Sequence, residues 1–341
     1  MKLKIFLTTL LLLVLSLSVL SGCGDVPNNG NGDEIAQEFT IGILSGSQIP
    51  AFEEGDVGFQ SRLTELMTAA GYSVTFEYRN AGGVAAESTT IAQIFAAMNV
   101  DLIFSMGTGA SLQALPVATT ADIPLVFGII TDPVGNNLVV PNVSTGSSSA
   151  LDPTTQIGLL AELLGVDQLD ENNRVAFLYT TDEPNSVASL NRLQSVAPEG
   201  TVVDFGISSD GLGQLMQLFV NIAADPTIRA IYIPQDNQIT GNMQMVQNLN
   251  RNQDADRRLP IVVADLPIVE GGAVASLSVD FASNGAAAAD IAFDILVNGT
   301  WPATFYTPTA ESLSLYINQT EADAIGFEIP GELTARADRT L

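Results

Sequence analysis

Residues 100 to 133 limit the fold more than any other stretch, reading VDLIFSMGTGASLQALPVATTADIPLVFGIITDP. An apolar run over 102–106 meets the glycine turn Gly107-Thr108-Gly109, and a helical run over 110–120 follows. After Asp122-Ile123-Pro124, a second apolar run over 125–130 ends at Thr131-Asp132-Pro133. Strand, helix and strand within roughly 30 residues make a βαβ unit. Both runs are continuously apolar, as parallel strands covered on both faces are. Open parallel sheets bind ligands beyond the carboxyl ends of their strands. Here those ends carry Ser105, Thr108, Ser111 and Thr131, with one acid, Asp132. Small hydroxyls and a carboxylate suit gripping a small polar molecule better than they suit chemistry.

The same alternation extends in both directions. Upstream, a strand over 40–44 ends at Ser45-Gly46-Ser47, and a helix over 58–70 has Phe59, Leu63, Leu66 and Met67 on one face and Gly71 as its cap. A strand over 74–78 and a helix over 87–98 complete the first array. Residues 139–149 are extended and rich in small residues, the texture of a crossover. A second alternation then begins, with helices over 154–164, 185–195, 213–223 and 240–249 and strands over 174–179, 202–205, 230–233 and 261–263. Residues 271–281 read as a return crossover into an alanine-rich helix over 285–297, and a third extended link over 304–309 leads to a strand over 313–317. The expected fold is α/β: two doubly wound parallel-sheet lobes joined by three crossover segments, with a hinge and an interlobe cleft. The N-terminal lobe would span 38–142 with roughly 273–304, and the C-terminal lobe 148–270 with roughly 309–330.

The first residues form a targeting segment. Lys2 and Lys4 precede an apolar region over 5–20, which ends in Leu20-Ser21-Gly22-Cys23. This resembles a bacterial lipobox, which implies a signal peptide over 1–22 and lipid on the Cys23 thiol. Residues 23–37 are polar and rich in Gly and Asn, so they read as a flexible tether. No second apolar run is long enough to span a membrane. Anchored in this way, the folded part would be extracytoplasmic, at the cell surface or in the periplasm.

Charge and composition exclude several functions. The 341 residues hold 38 acids, 12 bases and no His, for a formal net charge of −26, which repels nucleic acid and anionic lipid. Without His, the Ser-His-Asp and Cys-His schemes are impossible. With its one Cys assigned to lipid, the chain has no intramolecular disulfide, thiolate nucleophile or sulfur-rich metal site. No catalytic residue, metal or cofactor is therefore expected, although a carboxylate-pair hydrolase stays open as an alternative. The glycine turn half-matches a dinucleotide fingerprint, but Leu112 occupies the place of its third glycine.

The remaining chemistry is that of a binding site. A helix starting at Thr108 presents unpaired N–H groups and a positive dipole end, which favour a carboxylate or another anion, and Thr108 and Ser111 add hydroxyls. Plain capping by Thr108 is the competing reading. Asp132, Asp236 and Asp265 each follow an apolar strand and would complement a ligand ammonium. Asp236, with Asn237 beside it, would otherwise cap the following helix, and Asp132 before Pro133 would otherwise start a turn. Ser45 closes the first strand at the same end of the sheet.

Several pieces, ordered along the chain, carry a resemblance. They are Glu77-Tyr78-Arg79-Asn80-Ala81, Val100-Asp101-Leu102-Ile103, Ala121-Asp122-Ile123-Pro124-Leu125-Val126-Phe127 and Thr131-Asp132-Pro133-Val134-Gly135. Asn142-Val143-Ser144-Thr145-Gly146, Glu183-Pro184-Asn185-Ser186, Tyr232-Ile233-Pro234-Gln235-Asp236-Asn237 and the Gly271-Gly272-Ala273 turn follow. Together they resemble the ABC-transporter substrate-binding lipoproteins of the tryptophan- and tyrosine-uptake type, on a periplasmic-binding-protein type I fold. The resemblance implies a monomeric, non-enzymatic receptor that delivers an amino acid, aromatic ones among the options, to a membrane permease. It also implies ligand contact by Asn185 or Ser186. The chain departs from that family at Thr108-Gly109, where Thr-Pro is usual, and in its first loop, which lacks a His before Pro50. Alternatives on the same fold are a sugar- or nucleoside-binding or a sensory lipoprotein.

Overall fold

The computed structural model describes residues 37–264, 271–309 and 313–341. The targeting segment with Cys23, and Asp265, lie outside these described residues. In chain order the first lobe contains β1 (Glu38–Ser45), α1 (Pro50–Ala69), β2 (Ser73–Asn80), α2 (Ala85–Met98), β3 (Leu102–Met106), α3 (Thr108–Ala121), β4 (Leu125–Ile130) and β5 (Ser144–Ser148). Then come α4 (Pro153–Leu163), β6 (Arg174–Thr180), α5 (Pro184–Val196), β7 (Val202–Ile207), α6 (Leu215–Ala224), β8 (Ile228–Ile233), α7 (Asn237–Thr240), α8 (Met243–Arg251), β9 (Ile261–Val263) and β10 (Ala275–Val279). The chain ends with α9 (Phe281–Asn298), β11 (Leu313–Ile317), α10 (Gln319–Ile325), α11 (Gly331–Arg336) and β12 (Arg339–Thr340).

The strands form two sheets. The first runs β2-β1-β3-β4-β5 and is parallel throughout. The second runs β7-β6-β8-β9-β10-β11-β12, with β11 antiparallel to β10. Its first five strands repeat the order of the first sheet, the doubly wound order 2-1-3-4-5. Each sheet therefore has one switch point, between β1 and β3 in the first and between β6 and β8 in the second. The α/β, two-lobe architecture is the one expected.

Burial explains the central elements. Every residue of β3 and β4 is buried, so two-sided covering accounts for their unbroken apolar runs. Helix α1 turns Phe59, Leu63 and Met67 inward, and Phe59 stacks on Phe104 of β3 with ring centroids 3.9 Å apart. On its other side α1 crosses α9 at very close range. A Cβ on Gly285 would lie 1.9 Å from the Gly55 carbonyl oxygen, so the crossing needs glycine there. Helix α9 thus packs on the N-terminal lobe although it follows a C-terminal strand.

Four differences from the expected boundaries change the reading of a whole element. Helix α1 starts at Pro50, not at 58, because proline suits a first helical turn and Gly55 and Gly58 serve the α9 contact instead of breaking the helix. The supposed crossover over 139–149 contains β5, which extends the first sheet to Ser148. Strand β10 pairs in the second sheet, so the return link lies at Asp280, after this strand instead of before residue 273. The helix expected over 240–249 divides into α7 and α8.

A test of the helix crossing compares two glycines. Gly285→Ala should destabilise the protein by about 1–3 kcal/mol through overpacking. Gly158→Ala, in exposed mid-helix α4 where a Cβ meets nothing within 4 Å, should stabilise by about 0.5–1 kcal/mol. Urea unfolding of both variants measures the two signs.

Candidate functional site

The two switch points face each other across an interlobe cleft. The first lobe contributes Gly46 and Ser47 after β1 and Gly107, Gly109 and Ala110 after β3. The second contributes Asp182 to Asn185 after β6 and Asn237 and Gln238 after β8. The outer cleft offers about 260 Å³ to water centres. An inner chamber adjoins it, with about 20 Å³, room for roughly one water. Its apolar wall is Ile49, Phe52, Ile129 and Phe281, and its polar wall is Thr108, Thr131, Asn185, Gln235, Asp236 and Asn237. Phe52 lines both spaces. Gly107 makes room for it: at φ 90°, a Cβ there would fall 2.6 Å from the Phe52 ring.

Thr108 opens α3, a helix of 14 residues whose first amides have no intrahelical partners. Thr108 is 2% exposed, yet its hydroxyl has no hydrogen-bond partner. A buried, unsatisfied hydroxyl costs about 1–3 kcal/mol and is uncommon in native structures. Ser111, one turn on, turns away from the chamber. Its Oγ donates to the Gly107 carbonyl at 3.0 Å and shares a 2.7 Å hydrogen bond with Ser105 Oγ. Ser45 is likewise engaged locally, donating to the Ser47 carbonyl at 2.7 Å.

Ile129 holds a left-handed backbone, φ 57°, where the β4–β5 register shifts. A β-branched residue there is an outlier, costing of order 1–3 kcal/mol. Its N–H is held by Asn284 Oδ1 at 3.1 Å, which also accepts from Ser147 Oγ at 2.7 Å. Asn284 of α9 thus pins the strained turn to β5 and keeps the Ile129 side chain on the chamber wall.

On the C-terminal side, Asp236 is 1% exposed and accepts four hydrogen bonds: Thr180 N at 2.6 Å, Thr180 Oγ1 at 2.9 Å, Ser186 Oγ at 2.8 Å and Ile239 N at 2.8 Å. It caps α7, not the longer helix that follows. Burial pushes its carboxyl up, against the pull of these donors. Ser186 therefore reaches Asp236 and not the chamber. Asn185 lines the chamber, with Nδ2 donating to the Gln235 carbonyl at 2.5 Å. Asn237 also lines it and donates its N–H and Nδ2 to Glu183 Oε2, each at 3.0 Å.

Thr131 lines the chamber and donates to Gln235 Oε1 at 3.2 Å across the lobes. Arg192 of α5 grips the same residue, with Nη1 donating to the Thr131 carbonyl at 3.1 Å. Asp132, next in the chain, lines a separate groove and accepts from Gly135 N at 2.8 Å, as a turn residue does. The sequence alone did not single out Phe52, Ile129, Gln235 or Phe281 as ligand contacts, and Glu183 entered only within the segment Glu183-Pro184-Asn185-Ser186 that carries the resemblance. Glu183 lines the outer cleft, and burial pushes its carboxyl up to about 7, with the nearby Asp236 carboxylate adding to the rise.

Residues 40–341 match the family model described as ABC transporter substrate binding protein. The chain belongs to that family. Its members bind a solute for an ABC transporter and do not turn it over. A tyrosine-binding protein of Clostridioides difficile is 25% identical over 96% of this chain and 94% of its own length. A conserved domain protein from Vibrio cholerae superposes with TM-score 0.72 at 27% identity, covering 89% of this chain and 99% of the other. An ABC domain from Streptococcus pneumonia in complex with L-Trp does so with TM-score 0.74 at 23% identity, covering 89% of this chain and 100% of the other. The family's fold is thus that of the two-lobe periplasmic binding proteins.

The raised Glu183 carboxyl gives a stability test with a defined sign. The folded protein keeps this proton between about pH 4.5 and 7, where the unfolded chain has lost it, so stability falls as pH rises through that window. In Glu183→Gln that leg is missing. Thermal unfolding should show the variant gaining on wild type as pH rises from 4.5 to about 7, and a constant difference across this window would contradict it.

Proposed function

We propose that this family member is an extracytoplasmic, lipid-anchored receptor that binds one amino acid per monomer in the interlobe cleft and delivers it to a membrane permease. The observation that carries the reading is Thr108. Its unsatisfied hydroxyl stands with the free amides of the α3 N-terminus on the chamber wall. Such a group suits a ligand carboxylate, because it supplies donors and a positive dipole end without a charged side chain. The facing lobe supplies acids and amides, the complement of an ammonium. The apolar wall of Ile49, Phe52, Ile129 and Phe281 matches a hydrophobic or aromatic side chain, which the chamber, with room for about one water as it stands, would admit only when the lobes part. What the C. difficile and S. pneumonia relatives are described as binding agrees with this chemistry.

Removing the hydroxyl isolates the claim. Thr108→Val should lower amino-acid affinity about tenfold by calorimetry while stabilising the ligand-free protein by about 1–3 kcal/mol, and Thr108→Ser should keep the affinity. Wild-type affinity in the valine variant would refute the carboxylate assignment. Binding of sugars or nucleosides without amino acids would refute the ligand class.

Anchoring is tested separately. Cys23→Ala should release the protein from membranes or leave its precursor uncleaved, because Leu20-Ser21-Gly22-Cys23 ends the apolar targeting segment. A processed, membrane-bound variant would rule out the lipid.

A further inference from the structure

We propose that Glu183, and not Asp236, recognises the ligand ammonium and so selects amino acids over their des-amino analogues. The inference rests on the amino-acid reading above and starts from acceptor capacity. An ionised carboxylate offers about four lone-pair positions, two on each oxygen. Asp236 uses all of them: Oδ1 takes Thr180 Oγ1 and Ile239 N, and Oδ2 takes Thr180 N and Ser186 Oγ. An ammonium there would have to displace a buried bond. Glu183 is different. It too is reached by four donors, but they are unevenly shared. Oε2 takes the N–H and Nδ2 of Asn237 and a long 3.4 Å contact from Asn185 Nδ2, which bonds the Gln235 carbonyl at 2.5 Å, whereas Oε1 accepts only Gln238 N at 3.0 Å. One position on Oε1 remains.

Location supports the same assignment. Glu183 lines the outer cleft, opposite the glycine turn that opens α3. Asp182, the other acid on that lining, sits exposed at the rim and is held by the Ser209 N–H and hydroxyl. Water competes there, so its discrimination would be small. The N-terminal lobe contributes no ionisable side chain to the described lining of either space. Arg192, farther along α5, is turned to the carbonyls of Thr131 and Leu151 and lines neither. The charges facing Glu183 are thus Asp182 and Asp236, both acidic. A group crowded by acids, partly desolvated and one hydrogen bond short is stabilised by an arriving cation.

The consequence is a pH-dependent preference. An ammonium favours the ionised carboxylate, so amino-acid affinity should rise with pH through about 7, by no more than tenfold per pH unit for one proton. A des-amino analogue should show no such rise.

Calorimetry on the full-length protein tests this. The twenty standard L-amino acids serve as probes, and the tightest binder is compared with its des-amino acid at pH 6 and pH 8. In wild type the amino acid should bind more tightly at pH 8, and the analogue equally at both. In Glu183→Gln the amino acid should lose at least tenfold at pH 8, its pH dependence should vanish, and the analogue should stay within about threefold. Glu183→Ala provides a second variant if the glutamine disturbs α7. A variant that loses both compounds equally, or keeps the pH dependence, overturns the assignment to Glu183 while the amino-acid reading stands. A wild-type protein that binds none of the twenty overturns both.

Discussion

Four donors from three elements converge on the Asp236 carboxylate, and the C-terminal half of the cleft depends on that convergence. Thr180 ends β6, Ser186 lies in the first turn of α5, and Ile239 belongs to α7. One buried anion therefore ties the carboxyl ends of two neighbouring strands to the helices that follow them. Removing a carboxylate so placed leaves four donors without partners in a desolvated site, which costs far more than one hydrogen bond. The same bonds fix the segment 235–238, which presents Gln235 to Thr131 and the amides of Asn237 and Gln238 to Glu183. Among the described residues, the N-terminal half has no counterpart to this anion. Its ligand face is built from backbone: a glycine turn, a helix start and a left-handed isoleucine held by Asn284.

Much of the architecture was legible in the sequence, for a clear physical reason. β3 and β4 are buried on both faces, so their apolar runs coincide with their boundaries, and the helix between them carries the glycine turn to the site. β5 was illegible because it contains no large apolar side chain. Two of its three serines are held by hydrogen bonds instead, Ser147 to Asn284 and Ser148 to the Ile130 carbonyl at 2.9 Å. The start of α1 was hidden by Gly55 and Gly58, which look like helix breakers until α9 is seen lying against them. That error mattered, since it left Phe52 in a loop instead of on a helix facing the chamber.

At the site, residue types were easier to read than the direction in which they point. Thr108 and Asp236 both fall where strand ends place them, yet Asp236 is a scaffold while the neighbouring Glu183 keeps an open acceptor. No pattern of spacing distinguishes these two acids, because the difference lies in how their donors divide between the oxygens, two and two on Asp236 but three and one on Glu183. Ser111 fails as a contact for a related reason. At helical spacing its hydroxyl falls back on the Gly107 carbonyl, a local bond that competes with any ligand.

The glycine turn before α3 and the ring of Phe52 divide two tasks between main chain and side chain. Amides at a helix start survive almost any substitution, because every residue but proline carries one. The neighbouring walls, Ile49, Phe52, Ile129 and Phe281, are side chains and can be exchanged one at a time. A lineage of such receptors can therefore drift from one side-chain shape to another while its polar grip stays constant. Phe52 borders both spaces, so exchanging that one ring changes the wall that each of them offers to a ligand side chain.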